Sequence, residues 1–95
     1  MKTLIENYKP KYCSKTIMHS FDGKDVRFKI VAKCGNCYSE LSIEIQTPNN
    51  DFKTIATKED IPNYDYVDYV LTPDARLGKL RANIKAAEDY ILKVF

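Results

Sequence analysis

The sequence predicts an α+β domain: an antiparallel β-meander of three to four strands packed against one long C-terminal α-helix. Three observations carry this. Two neighbouring stretches, Val26–Lys33 and Ser39–Gln46, alternate apolar and polar residues with period two around a Gly-Asn pair. From Leu77 to Val94 one apolar stripe recurs at helical spacing. The chain is 95 residues, 44% hydrophobic and 29% charged, the size and composition of one globular core, so residues 1–95 are read as a single domain.

At the N-terminus Leu4, Ile5, Tyr8 and Tyr12 have helix-like spacing, and Pro10 confines any helix to the residues before it. A short helix or an ordered arm is expected there. Ile17, His19 and Phe21 then alternate with Thr16, Met18 and Ser20, which reads as a strand. Asp22-Gly23-Lys24-Asp25 is turn chemistry. A four-residue loop sets Phe21 opposite Val26 and Cys13 opposite Cys34. A two-residue Asp22-Gly23 turn shifts that register by two and keeps the same faces.

With Gly35-Asn36 as a two-residue hairpin turn, Val26 pairs with Ile45, Phe28 with Ile43 and Ile30 with Leu41 on one face. On the other face Arg27 meets Glu44. A slip of one residue would put every leucine and isoleucine on the wet side. Thr47–Asp51 is a loop, and Phe52–Thr57 a short, weaker strand. Residues 58–71 hold Pro62 and then an aromatic and β-branched run, Tyr64–Leu71, which reads as an extended segment or edge strand. Tyr64, Val67 and Leu71 also fit a helical face. Thr72 is a good N-cap, Pro73 a good first helical residue, and Asp74 suits the positive helix end. Leu77, Leu80, Ile84, Ala87, Ile91 and Val94 form the stripe. It is expected to lie on the sheet; the alternative is the seam of a homodimer.

Several function classes are excluded or disfavoured by composition. The formal net charge of +2 does not by itself imply nucleic acid. No apolar run reaches the ~20 residues of a membrane span, and no signal-peptide core follows Met1, so no membrane partner and a cytoplasmic location are expected. No phosphate-loop, dinucleotide or hydrolase signature is present, and no carboxylate or serine is placed to form a triad with His19, the one histidine. A non-enzymatic protein is expected.

Three constellations remain. Cys34-Gly35-Asn36-Cys37 resembles half of a zinc knuckle, with Cys13 the natural third ligand beside Cys34. His19 does not complete it on a straight strand, because six residues span about 20 Å while a metal–ligand bond is about 2 Å. Cys13, Cys34 and Cys37 also share the parity of the inner face, so the alternatives are small core residues, a structural zinc ion, a Cys13–Cys34 disulfide or redox chemistry. A CxxC in a β-turn lacks the helix N-terminus that activates redox thiols. The second constellation is acidic. Residues 59–75 carry Glu59, Asp60, Asp65, Asp68 and Asp74 and no basic group, net −5, between segments of net +4 and +3. Tyr64, Tyr66 and Tyr69 interleave with these acids. Aromatic area plus steering charge suits a partner-binding segment facing a basic surface. The alternative is a solvated loop whose tyrosines pack on the core. The third set is basic. Lys9, Lys11 and Lys15 near Tyr8 and Tyr12, with Lys29 and Lys33 on the outer sheet face, are candidate contacts to single-stranded nucleic acid. Against this reading, Glu40 and Glu44 offset the outer face, and no aromatic pair for base stacking is expected on it.

Lys, Asn, Ile, Tyr and Phe make up 38 of the 95 residues, the signature of an A+T-rich gene. In size and composition the chain resembles small phage or mobile-element proteins, among them inhibitors of host defence such as anti-CRISPR proteins. That resemblance of kind implies a protein-binding inhibitor of a host nucleic-acid enzyme, and it assigns no residue a role. A small nucleic-acid-binding domain, zinc-stabilised through the CxxC hairpin, is the alternative.

Overall fold

Period-two alternation extends through most of the first 57 residues, and the chain answers with five consecutive strands. The computed structural model describes Met1–Phe95. Its strands are β1 (Lys2–Lys9), β2 (Tyr12–Phe21), β3 (Lys24–Gly35), β4 (Tyr38–Gln46) and β5 (Phe52–Thr57). They form one antiparallel sheet in sequence order. A single 3-10 turn at Lys58–Asp60 follows, then an irregular strap over residues 61–71, then helix α1 (Pro73–Val94). The α+β prediction stands, with five strands instead of three or four.

The extra strand is β1, where a helix or arm was expected. Leu4 and Tyr8 are four apart, a spacing that fits one helical face and equally one strand face. Pairing decides between them: β1 joins β2 from Lys2↔Met18 to Lys9↔Tyr12, and Pro10 sits harmlessly in the connecting turn. Both edge strands carry an irregularity, at Leu4 in β1 and near Ile55 in β5, and each bears lysine. Bulges and lysines are what keep open sheet edges from pairing with other chains.

The β2–β3 connection is the two-residue Asp22-Gly23 turn. Both residues adopt left-handed backbone, φ 54° and 76°, as a primed hairpin turn demands. The β3–β4 hairpin departs from expectation. Its pairs are Phe28↔Ile45, Ile30↔Ile43, Ala32↔Leu41 and Gly35↔Tyr38, two residues away from the predicted register, with Asn36-Cys37 at the turn. Neither turn residue has positive φ, so the glycine is not needed there. A shift of two preserves every face, which is why the core prediction survives it.

One face of the sheet is dry. Cys13, Ile17, Phe28, Ile30, Ala32, Leu41 and Ile43 are buried there beneath Leu80, Ile84, Ala87 and Ile91 of α1. Burying each large aliphatic side chain contributes about 1.5–3 kcal/mol. Thr72 caps α1 by accepting from the Ala75 amide at 3.3 Å, with Pro73 as its first residue. The helical stripe is consumed by this packing as far as Ile91, so the alternative homodimer seam is not available; Leu92 and Val94 at its end stay about half exposed.

The strap is neither strand nor helix, because side chains claim its backbone. Asn83 of α1 accepts from the Asp65 amide at 3.0 Å and donates to the Asp65 carbonyl at 2.8 Å. Ser39 of β4 accepts from the Val67 amide at 3.0 Å and hydrogen-bonds the Tyr64 hydroxyl. Ile61 and Val67 are thereby pressed into the core. Towards β1, Lys15 points at the helix and pairs with Glu88 at 2.7 Å and Glu6 at 3.6 Å. Burial pulls the Lys15 ammonium down, but the hydrogen bond and charge of Glu88, with Tyr8 and Glu6, outweigh it and hold its pKa above the usual lysine value.

Two outcomes follow. Asn83→Ala strips both backbone polar groups of Asp65 of their partner and is expected to cost about 1–3 kcal/mol in urea unfolding, the scale of one unmade buried hydrogen bond, because Asn83 is buried while Asp65 is open to water. A loss under about 0.5 kcal/mol, the range of neutral surface changes, would show that water replaces the clamp. Lys15 has a folded pKa above its unfolded one, so its stabilisation is complete below the ordinary lysine pKa and fades as pH rises through the folded value. Glu88→Gln is expected to cost about 1–3 kcal/mol at neutral pH and to flatten that alkaline decline, both read from unfolding midpoints across pH.

Candidate functional site

Alternation assigns side chains to faces, and the faces separate the candidates. The even positions of β2 and β4 and the odd positions of β3 from Arg27 onward point away from α1. Tyr12, Lys33, Tyr38 and Glu40 therefore share the bare face of the sheet at the end where β3 turns into β4. Lys9 pairs with Tyr12 and joins them. Lys11 stands exposed in the β1–β2 turn at the same end. These groups surround an open hollow of about 610 Å³ lined by Lys11, Tyr12, Lys33, Cys37, Tyr38 and Tyr69, with Cys34, Gly35 and Asn36 in its floor and rim.

Gly35 shapes that hollow. The Tyr38 ring lies across it: a Cβ on Gly35 would sit 2.7 Å from Cζ and 2.9 Å from Oη of Tyr38. Only a residue without a side chain lets the ring rest on the strand backbone, the arrangement in which a cross-strand aromatic covers a glycine. The expected absence of an aromatic pair on the bare face is thus corrected. Tyr12 and Tyr38, 38% and 45% exposed, both stand there. Parity with Cys13 and Ile17 in one strand, and with Ser39 and Leu41 in the other, was the signal that assigns them.

Of the five candidate lysines, Lys9, Lys11 and Lys33 gather at this end and are exposed. Lys29 lies further along the same face, half-buried, opposite Thr16 and Glu44. Lys15 does not join them; it is on the opposite face, bound to Glu88. Behind the hollow, the Tyr69 ring is flanked by the Lys11 ammonium at 5.3 Å and the Arg76 guanidinium at 4.9 Å. Arg76 is buried, donates from Nε to the Leu71 carbonyl, and has no carboxylate partner; its Nη1 makes no hydrogen bond.

The three cysteines do not assemble as metal ligands. No group of three or more His, Cys, Asp or Glu side chains is arranged to hold a metal ion. The two-residue register shifts account for this. Cys13 pairs with Ala32 instead of Cys34, and Cys37 occupies the turn itself, exposed, while Cys34 points inward. All three are free thiols. The buried pair has another occupation: Cys13 donates to the Lys9 carbonyl at 3.3 Å and Cys34 to the Pro10 carbonyl at 3.7 Å. With the Cys34 amide donating to Lys11 at 3.1 Å, they tie the β1–β2 turn to β3. Burial pushes the Cys13 thiol pKa up. His19 is at the far end of the sheet, its Nε2 at 3.1 Å from the Phe95 carbonyl and its ring tilted on Phe28. No cysteine is brought to it.

The acidic-tyrosine segment is divided between anchors and exposed groups. Glu59 accepts from the Thr57 hydroxyl at 2.7 Å and Asp60 from the Thr57 amide at 2.9 Å, which fixes the 3-10 turn. The Thr57 hydroxyl holds the Glu59 carboxyl below the usual carboxylate range. Tyr64 is the tether to Ser39. Asp65 pairs with Lys79 at 3.3 Å, both well exposed, and Asp68 accepts from the Val70 amide at 3.0 Å. Outward from this fixed backbone stand Tyr66, 52% exposed, and Val70, 85% exposed, beside Asp65 and Asp68.

The thiols differ enough to count. In native protein at neutral pH one thiol, Cys37, is expected to react quickly with an alkylating reagent, and Cys13 and Cys34 only after unfolding, read by mass spectrometry of the labelled chain. Equal reactivity of all three would contradict the burial described.

No family model matches the chain, and no curated protein or solved structure shows significant similarity to it.

Proposed function

We propose that the protein is a non-enzymatic binding module that engages a protein partner with a basic surface through residues 59–74. The observation that carries the reading is the exposure of Tyr66 and Val70 on a backbone already immobilised by Asn83 and Ser39. A loop that is rigid before binding loses little conformational entropy on association. An exposed tyrosine and an exposed valine on one short segment supply apolar contact. Glu59, Asp60, Asp65, Asp68 and Asp74 place five carboxylates along this segment, and Lys79 is the single cation paired with them. Such a surface attracts a positive one and speeds encounter. Enzymes that act on nucleic acid present basic grooves, so such an enzyme is the partner class this surface fits, with this chain as its inhibitor.

The test compares capture from nuclease-treated cell extract by the native chain, by Asp65→Lys with Asp68→Lys, and by Tyr66→Ala with Val70→Ser. The partner is expected to be lost from both double variants, by roughly tenfold or more, because like charges across an interface cost several kcal/mol. Circular dichroism melts should stay near native, since all four side chains are exposed. A partner held equally by the native chain and by both folded variants would overturn the reading.

A further inference from the structure

The hollow at the β3–β4 turn opens on the face of the sheet that α1 leaves bare; of the partner-binding strap it touches Tyr69 alone, and its chemistry is of the opposite sign. We propose that this end of the bare face is a binding platform for single-stranded nucleic acid, with Tyr12 and Tyr38 stacking bases and Lys9, Lys11 and Lys33 holding phosphates. It rests on observations separate from those behind the protein-binding reading.

Four features carry it. Two tyrosines are exposed on one face, one of them laid on the backbone of Gly35, so that its ring forms part of the surface. Every base has a π-face, and aromatic platforms between cations are how sequence-tolerant single-strand sites are built. Three exposed lysines border the rings, and no carboxylate lies within ion-pair distance of any of them. The field is reinforced from behind by Arg76, a buried guanidinium with an unpaired Nη1 and no acidic partner. The volume, about 610 Å³, is an open trough and not an enclosed pocket, and Lys29 stands beyond it on the same bare face. An open trough suits a strand that passes through; a free nucleotide would leave most of it to solvent. Duplex is disfavoured, because its bases are already stacked on each other and cannot meet the tyrosine rings. Glu40, opposite Lys33, is the one acid on this part of the face and opposes the phosphate.

The experiment is fluorescence anisotropy with a labelled oligothymidylate and an oligouridylate at low salt, with a duplex of equal length and a mononucleotide as competitors. Single strands are expected to bind, with log affinity falling against log salt with a slope of about −2, as three neutralised phosphates require. Tyr12→Ser and Tyr38→Ser should each weaken binding by about tenfold, the scale of one base stacked on one ring. Lys33→Glu should weaken it further, Glu40→Gln should strengthen it a few-fold, and Lys93→Glu on the distant helix end should leave it unchanged. Bound strand should also shield Cys37 from alkylation, a readout independent of the label. Absence of binding by the native chain, binding indifferent to both tyrosines, or displacement by duplex or mononucleotide as readily as by single strand would each overturn the proposal. Because the strap variants leave all of these residues intact, failure here and failure of the protein-binding reading are separable.

Discussion

One helix cannot cover five strands. Strands sit about 4.8 Å apart, so five of them present a face of roughly 20 Å, against roughly 10 Å for a helix with its side chains. The molecule's 22 Å second dimension matches that width. Helix α1 lies over β2, β3 and β4, and the inner face is left short of cover on both flanks. The chain meets this constraint on one flank with the strap, whose Ile61 and Val67 complete the core, and on the other with the Glu6–Lys15–Glu88 set and the Tyr8 ring under Arg81 at 4.6 Å. Nearly everything unusual about the protein sits at one of those two seams.

Covering a sheet with irregular chain creates a problem that covering it with helix does not. Strap amides near the core need partners, and a strap without internal ladders cannot supply them. That is why α1 carries Asn83 buried between Leu80 and Ile84 of its apolar stripe, and why β4 carries the fully buried Ser39. Ser39 serves the strap twice through its hydroxyl, and its carbonyl takes the Lys58 ammonium at 2.8 Å. The same logic places thiols at the sheet end. Cys13 and Cys34 are small enough for a crowded corner and still give a weak donor to the Lys9 and Pro10 carbonyls. What looked like half a metal site is a turn clamp.

Faces were legible in the sequence, and registers were not. Period two assigns each residue to a side without knowing its partner, so Ile17, Phe28, Ile30, Leu41 and Ile43 could be placed in the core from alternation alone. Register depends on turn geometry, and the two turns divided. Asp22-Gly23 forms the tight primed turn its chemistry favours, whereas Gly35, the residue that most suggested a turn, lies within β3 to make room for Tyr38. The zinc alternative needed Cys13 beside Cys34, a register the chain does not adopt. β1 is ambiguous in the sequence because residues four apart satisfy both periods. The strap was illegible for a different reason: its conformation is dictated by Asn83 and Ser39, 18 and 28 residues away from the amides they bind, and no local pattern encodes a long-range side-chain clamp.

The charge segregation takes on meaning once the faces are known. The acidic strap lies on the helix side and the lysine-tyrosine end on the bare side, with the sheet between them. At physiological salt the Debye length is about 8 Å, so exposed charges across a body some 20 Å thick scarcely sense each other. A net charge of +2 therefore conceals two independent surfaces of opposite sign rather than a weakly basic one. They meet at Tyr69, where the strap wraps the sheet end and its ring is held between Lys11 and Arg76. That ring is the last residue of the acidic-tyrosine run to pack inward and also a wall of the basic hollow. The two surfaces thus adjoin at one side chain and are separated elsewhere by the thickness of the sheet.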